Sequence, residues 1–142
     1  MEAQLVEALR DSDVHCPELC LVAIRDGSVV GHIAFSRARL TFGPQVLALA
    51  PMAVLPEHQR QGAGSALVSD ALQRAAETHF PLVVVVGHAD YYPRFGFESA
   101  DALDIKAPFE VPTEAWMAYR LPAYTPEARG TVVYPEAFAS AT

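Results

Sequence analysis

The stretch Ala48–Leu72, ALAPMAVLPEHQRQGAGSALVSDAL, decides how the chain is read. An apolar run from Val46 to Leu55 comes first, then Pro56 and a polar turn. Gly62 and Gly64 follow, and after them apolar residues recur at helical spacing. The order is strand, turn, glycine loop, helix. The first N–H groups of a helix have no partner inside it. The helix dipole sets about half a positive charge behind them. Such a start is a seat for an anionic group, most often a phosphate. Glycine has a steric reason there, because a side chain would hold the anion away. The plainer reading of Gly62 and Gly64 is a flexible turn, with Ser65 an ordinary first-turn residue.

Spacing excludes two phosphate-binding loops. A P-loop needs four residues between its glycines and then Lys-Ser/Thr, which this stretch lacks. The dinucleotide fingerprint needs a third glycine where Leu67 stands, and a strand running straight into the first. Pro56 and the polar residues Glu57 to Gln61 intervene instead. What remains is Gln59-x-x-Gly62-x-Gly64. This resembles the Q/R-x-x-G-x-G/A pyrophosphate loop of the GNAT superfamily of acyl-CoA N-acyltransferases. Pro51-Met52-Ala53-Val54-x-Pro56 looks like the strand leading into that loop. Tyr92-Pro93-Arg94-Phe95-Gly96-Phe97 looks like the Y-x-x-x-G-F that closes the same domain. Three motifs in one order are far more specific than any one of them. The resemblance is strongest to small bacterial acetyltransferases and covers roughly residues 19–121.

The resemblance implies an α/β fold with a mixed, mostly antiparallel central sheet flanked by helices. It implies acetyl-CoA as co-substrate, no metal, and transfer of the acetyl group to a primary amine on a small molecule or peptide. In the family the strand before the loop splays from its parallel neighbour, and its bare backbone takes the pantetheine arm. That role falls here on Met52, Ala53 and Val54. An N–H at or near Val54 would polarise the thioester carbonyl. Gln59 and Arg60 open the loop, and the pyrophosphate would sit on the N–H groups of Gln61, Gly62, Ala63, Gly64 and Ser65. Tyr92 holds the position of the tyrosine near the sulfur. A phenol with pKa near 10 can give a proton to a departing thiolate. The plainer reading is that Tyr92 packs on Tyr91 and Phe95. Arg94 reads as solvated, with a phosphate contact the alternative. For a general base the candidates are His32, Glu57, His58 and His88, each also an ordinary surface or turn residue. A second function, a CoA-binding domain without turnover, differs from the first in releasing no free thiol from acetyl-CoA with an amine present.

Composition narrows the field. A length of 142 residues is that of a single domain, 1–142, and a chain that is 51% apolar with moderate charge is globular. No apolar run approaches the roughly 20 residues of a membrane span, and no signal peptide opens the chain. Cys16 and Cys20 lack the further ligands of a metal site and read as reduced thiols of a cytoplasmic protein. A net charge of −7 argues against nucleic acid as a partner.

In chain order, Glu2–Arg10 places Leu5, Val6 and Leu9 on one helical face. Leu19–Ile24 and Val29–Arg39 read as strands joined by an Asp26-Gly27 hairpin turn. Val46–Val54 reads as a buried central strand and Gly62–His79 as a helix with Leu67, Ala71, Leu72 and Ala75 inward. Pro81–Val86 reads as a buried parallel strand, Asp90–Phe95 as a short helix stopped by Gly96, and Thr113–Leu121 and Thr131–Tyr134 as strands. The family's usual first strand has no counterpart in this reading. Either the start is truncated or the domain manages without that edge strand; an open sheet edge pairs readily with another chain, which raises the odds of a homodimer.

Overall fold

The computed structural model describes residues 5–8, 15–54 and 62–134. Within them the strands are β1 (Leu5–Ala8), β2 (His15–Arg25), β3 (Ser28–Phe42), β4 (Gln45–Val54), β5 (Leu82–Val86), β6 (Glu98–Ser99), β7 (Ile105–Lys106), β8 (Trp116–Arg120) and β9 (Arg129–Val133). One α-helix, α1 (Ala63–Ala75), lies between β4 and β5. The sheet runs β1-β2-β3-β4-β5-β8-β6, with β9 joined to β3 and β7 joined to β9. Only β4–β5 and β7–β9 are parallel, so the mostly antiparallel α/β expectation holds.

The hairpin turn forms as read. Asp26 and Gly27 have φ 54° and 80°, the two positive values of a type I′ turn between Arg25 and Ser28. β2 starts earlier than Leu19, at His15. Pro17 lies where the β2–β3 register breaks, between His15 and Cys20, a place a strand tolerates proline. At its far end β3 pairs with β9 instead of β2, Arg39 opposite Val133 and Leu40 opposite Val132.

The helix expected over Glu2–Arg10 is corrected where it can be compared. Residues 5–8 form β1, antiparallel to β2 from Leu5 opposite Ile24 to Ala8 opposite Leu21. Over four residues Leu-Val-Glu-Ala fits either period. Helix propensity differs among ordinary residues by only tenths of a kcal/mol. The unpaired edge of β2 offers a full ladder of hydrogen bonds, and that decides. The edge of β2 that reads as vacant in the sequence is therefore filled by β1, which becomes the edge strand among the described residues.

Helix α1 carries Leu67, Val68, Ala71, Leu72 and Ala75 as one buried stripe. It stops short of His79. The Thr78 hydroxyl donates to the Ala75 carbonyl at 2.7 Å and accepts from the Phe80 N–H at 3.2 Å, turning the chain out of the helix. The stripe meets Leu21, Ile33, Phe35, Val83 and Val85 on one face of the sheet. The other face has its own core of Val46, Ala48, Leu82, Val84, Ile105, Trp116 and Val132. Both faces of β4 and β5 are thus covered, as their apolar runs require. The site depends on the place where these two strands stop pairing.

Candidate functional site

β4 and β5 are hydrogen-bonded neighbours only at Leu47–Val83 and Ala48–Val84. Beyond that point β4 stays on β3, with Met52 opposite Ile33, Ala53 opposite His32 and Val54 opposite Gly31. β5 stays on β8 as far as Val86 opposite Trp116. The strands part like a V, and the backbone of β4 from Leu49 to Val54 has no strand on its β5 side among the described residues. The bend has a local cause. One β3 residue, Ala34, faces two of β4, Ala50 and Pro51, between the Phe35–Leu49 and Ile33–Met52 pairs. Such a bulge bends a strand and often stands next to an active site. A proline inside a central apolar strand is the sequence signal for it, because proline has no N–H for the ladder. Met52, Ala53 and Val54 therefore lie on the bare arm of the V.

Helix α1 starts beyond that arm. Gly62 is its N-cap, in the left-handed region at φ 92°. Its carbonyl accepts the Ala66 N–H at 2.9 Å, the first intrahelical bond. No side chain caps this end and no acidic residue stands in the first turn. The N–H groups of Ala63, Gly64 and Ser65 occupy that first turn, without intrahelical partners. Among the described residues, a Cβ built on Gly62 would meet nothing within 4 Å. Gln59, Arg60 and Gln61 lie outside the described residues, as do Glu57 and His58.

Tyr92 opens a 3₁₀ turn, Tyr92–Phe95, just after β5, and Gly96 at φ 110° ends it. The Tyr92 ring is buried, 8% exposed. It sits edge-on to Tyr91 and to Phe97, with centroids 5.1 and 5.4 Å away. Burial first, and the neighbouring Tyr91 phenol second, hold its pKa above the usual 10. The ring lies against Gly87, the residue after β5. A Cβ on Gly87 would run into Tyr92 Cε2 and come within 2.7 Å of Cδ2. This steric role of Gly87 escapes sequence reading, in which it only ends a strand. Overpacking of this kind costs about 1–3 kcal/mol. Gly87→Ala is accordingly expected to lower the melting temperature and to shift the Tyr92 ring. A melt and the tyrosine ring resonances check both.

The remaining candidates are spread out. Arg94 is exposed, donating Nε–H to the Tyr91 carbonyl at 3.3 Å with its guanidinium 4.6 Å from the centre of the Tyr91 ring. His88 is exposed, and His32 is half-buried on β3 beside the bare arm. Among the described residues no three His, Cys, Asp or Glu side chains gather to hold a metal. No helix there is long and apolar enough to cross a membrane.

A mixed sheet whose two central parallel strands part beside a glycine-opened helix defines a class. The chain belongs to the acetyltransferase (GNAT) family, whose sequence model matches residues 2–97. Members of this family are acyl-CoA-dependent N-acyltransferases. Among relatives, the chain is 40% identical over 131 residues to the uncharacterized N-acetyltransferase YjhQ of Escherichia coli K12, across 86% of this chain and 71% of YjhQ. It is 34% identical over 122 residues to N-acetyltransferase YhbS of the same strain, across 84% of this chain and 72% of YhbS. The crystal structure of E. coli YhbS in complex with CoA matches with a TM-score of 0.83, covering 98% of this chain and 93% of that one. Identity over that longer structural match is 25%. A GNAT acetyltransferase from Brucella melitensis in complex with acetyl-CoA matches with a TM-score of 0.63 at 32% identity, covering 84% of this chain and 67% of that one.

Proposed function

We propose that this protein transfers the acetyl group of acetyl-CoA to a primary amine. The observation that carries the reading is the parting of β4 and β5 after Ala48 and Val84 at the same end of the sheet as the open N-terminus of α1. An extended pantetheine arm can pair with the bare backbone of Met52, Ala53 and Val54 as an added strand. The pyrophosphate then meets Gly62, Ala63, Gly64 and Ser65, where unpaired N–H groups and the helix dipole favour negative charge. The loop Gln59–Gln61 completes the cradle in this reading. The CoA complexes of the two related structures support the same choice of co-substrate.

The chemistry follows from the parts. The amine nitrogen, neutral after losing a proton to water, bonds to the thioester carbonyl carbon. A backbone N–H at the end of β4 steadies the charge that builds on the oxygen. The carbon–sulfur bond breaks and the Tyr92 phenol gives its proton to the leaving thiolate. The proton shed by the amide product returns to Tyr92 through water. Much of the rate comes from holding two reactants in line. A cytoplasmic setting fits a reaction that consumes acetyl-CoA.

The test is a thermal melt of the purified chain with acetyl-CoA, with adenosine 3′,5′-bisphosphate and with buffer. Ligand at about a hundred times its dissociation constant adds roughly 2.7 kcal/mol of stability, a visible shift. Free thiol released from acetyl-CoA on adding amine completes the expected result. Absence of any shift at millimolar acetyl-CoA overturns the reading.

A further inference from the structure

The V has a closed floor. β4 and β5 last pair at Ala48 and Val84. The next residue on each arm is Leu49 on β4 and Val85 on β5. Both belong to the buried cluster on the helix face, which also holds Tyr92, and they are 5% and 2% exposed. On the other face Ala48 and Val84 are buried in one cluster with Trp116. Along β5 the exposure begins only at its last residue, Val86, at 45%. Solvent therefore reaches almost nothing at the floor from either face.

The side chains at the floor are held from behind. Leu49 lies opposite Phe35 of β3, and Val85 lies opposite Met117 of β8. Phe35 and Met117 are buried in the same cluster, as is the apolar stripe of α1. An interior packed to this degree has no slack into which Leu49 or Val85 could swing.

The reach of an acyl-CoA can be set against this floor. In the acetyl-transfer reading the pyrophosphate lies at α1, beyond Val54, so the sulfur end of the arm points from Met52 back toward Leu49. Leu49 stands three residues before Met52, roughly 10 Å of extended strand before the bulge shortens it. Between the last amide nitrogen of the arm and the methyl of an acetyl thioester there are five bonds, roughly 6 Å when extended. The methyl then stops about 4 Å short of the level of Leu49, a van der Waals contact. Each further methylene adds about 1.2 Å to an extended chain. A butyryl group adds two and runs into side chains that are already packed.

We infer that Leu49 and Val85 fix the length of the acyl group, so that the V takes acetyl and propionyl thioesters and excludes butyryl and longer ones. The inference rests on the acetyl-transfer reading above and adds to it which donors are rejected. Leu49 and Val85 act by volume alone and take no part in the bonds that form and break.

The test is a calorimetric titration of the full-length protein with CoA, acetyl-CoA, butyryl-CoA and hexanoyl-CoA. These share one nucleotide and one arm, so only the acyl end differs. CoA and acetyl-CoA are expected to bind alike. Butyryl-CoA is expected to bind between about five- and a hundred-fold more weakly, the range of overpacking in a filled core expressed as affinity. Hexanoyl-CoA is expected to be at least as weak. Leu49→Ala and the milder Val85→Ala each open space at the floor and bring butyryl-CoA back toward acetyl-CoA. Leu72→Ala, in the same cluster but on α1, also opens a cavity and lowers the melting temperature, yet leaves the order of affinities unchanged. Hexanoyl-CoA bound by the wild type as tightly as acetyl-CoA overturns the inference, whether or not the variants fold. A wild-type preference that persists in both Leu49→Ala and Val85→Ala overturns the roles of these two residues. Failure to bind CoA itself overturns the acetyl-transfer reading, and this inference with it.

Discussion

Valine at position 62 is expected to leave a folded protein that no longer responds to acetyl-CoA. Gly62 caps α1 at φ 92°, a conformation a β-branched residue resists at a cost of about 1–3 kcal/mol. That cost alone is small enough for the fold to survive, because a Cβ there touches none of the described residues within 4 Å. The larger effect falls on the ligand. The side chain stands at the start of the helix, beside the Ala63, Gly64 and Ser65 N–H groups, and is expected to keep a phosphate from them. Charge-assisted hydrogen bonds contribute about 1.5–3 kcal/mol each. Losing two of them weakens binding by roughly two powers of ten or more. Gly62→Asn separates the two effects, since asparagine tolerates the left-handed region yet still blocks the seat. Both variants should melt near the wild type without ligand, valine somewhat lower, and neither should shift with acetyl-CoA. A full shift in Gly62→Asn would show that the helix start is not where the pyrophosphate sits.

How much of this was legible beforehand depends on the length of the pattern. β4, α1 and β5 declare themselves because each has a long run of one period, and the glycines fall between two of them. Leu5–Ala8 reads equally as helix or strand because four residues cannot distinguish the two, and the partner that settles the matter, residues 21–24, is far along the chain. β9 shows the same limit. Thr131–Tyr134 looked like a strand, but nothing local says that it completes the edge of β3 beyond the reach of β2. Site residues divide in the same way. Gly62 and Tyr92 belong to motifs and could be named. Gly87 could not, because its role is the space it leaves for the ring of Tyr92. The ring contact of Phe109 with Trp116 is also invisible, since residues 107–112 have no strand or helical period and the two rings meet only in three dimensions.

Tyr92→Phe tests the other half of the site, and here the fold should hardly change. The ring keeps its edge contacts with Tyr91 and Phe97 and its place over Gly87. Only the hydroxyl is lost. If the phenol protonates the leaving thiolate, turnover falls by roughly 10²–10⁴, the span of general acid catalysis, while the acetyl-CoA shift stays. The pH dependence adds a second check. Burial and Tyr91 raise the Tyr92 pKa above 10, so the acid form persists through the neutral range. An acid is active while protonated, so this group contributes no loss of rate through the neutral range. The decline it causes belongs above the raised pKa and is absent from Tyr92→Phe. The same shift bears on stability with the same sign. The unfolded chain gives up this proton near pH 10 and the folded chain later, so the folded state loses ground as pH climbs from 10 through the raised pKa. Phenylalanine removes that loss. Turnover unchanged in Tyr92→Phe, with alkaline stability still improved, would make Tyr92 a packing residue and leave proton delivery to water in the V.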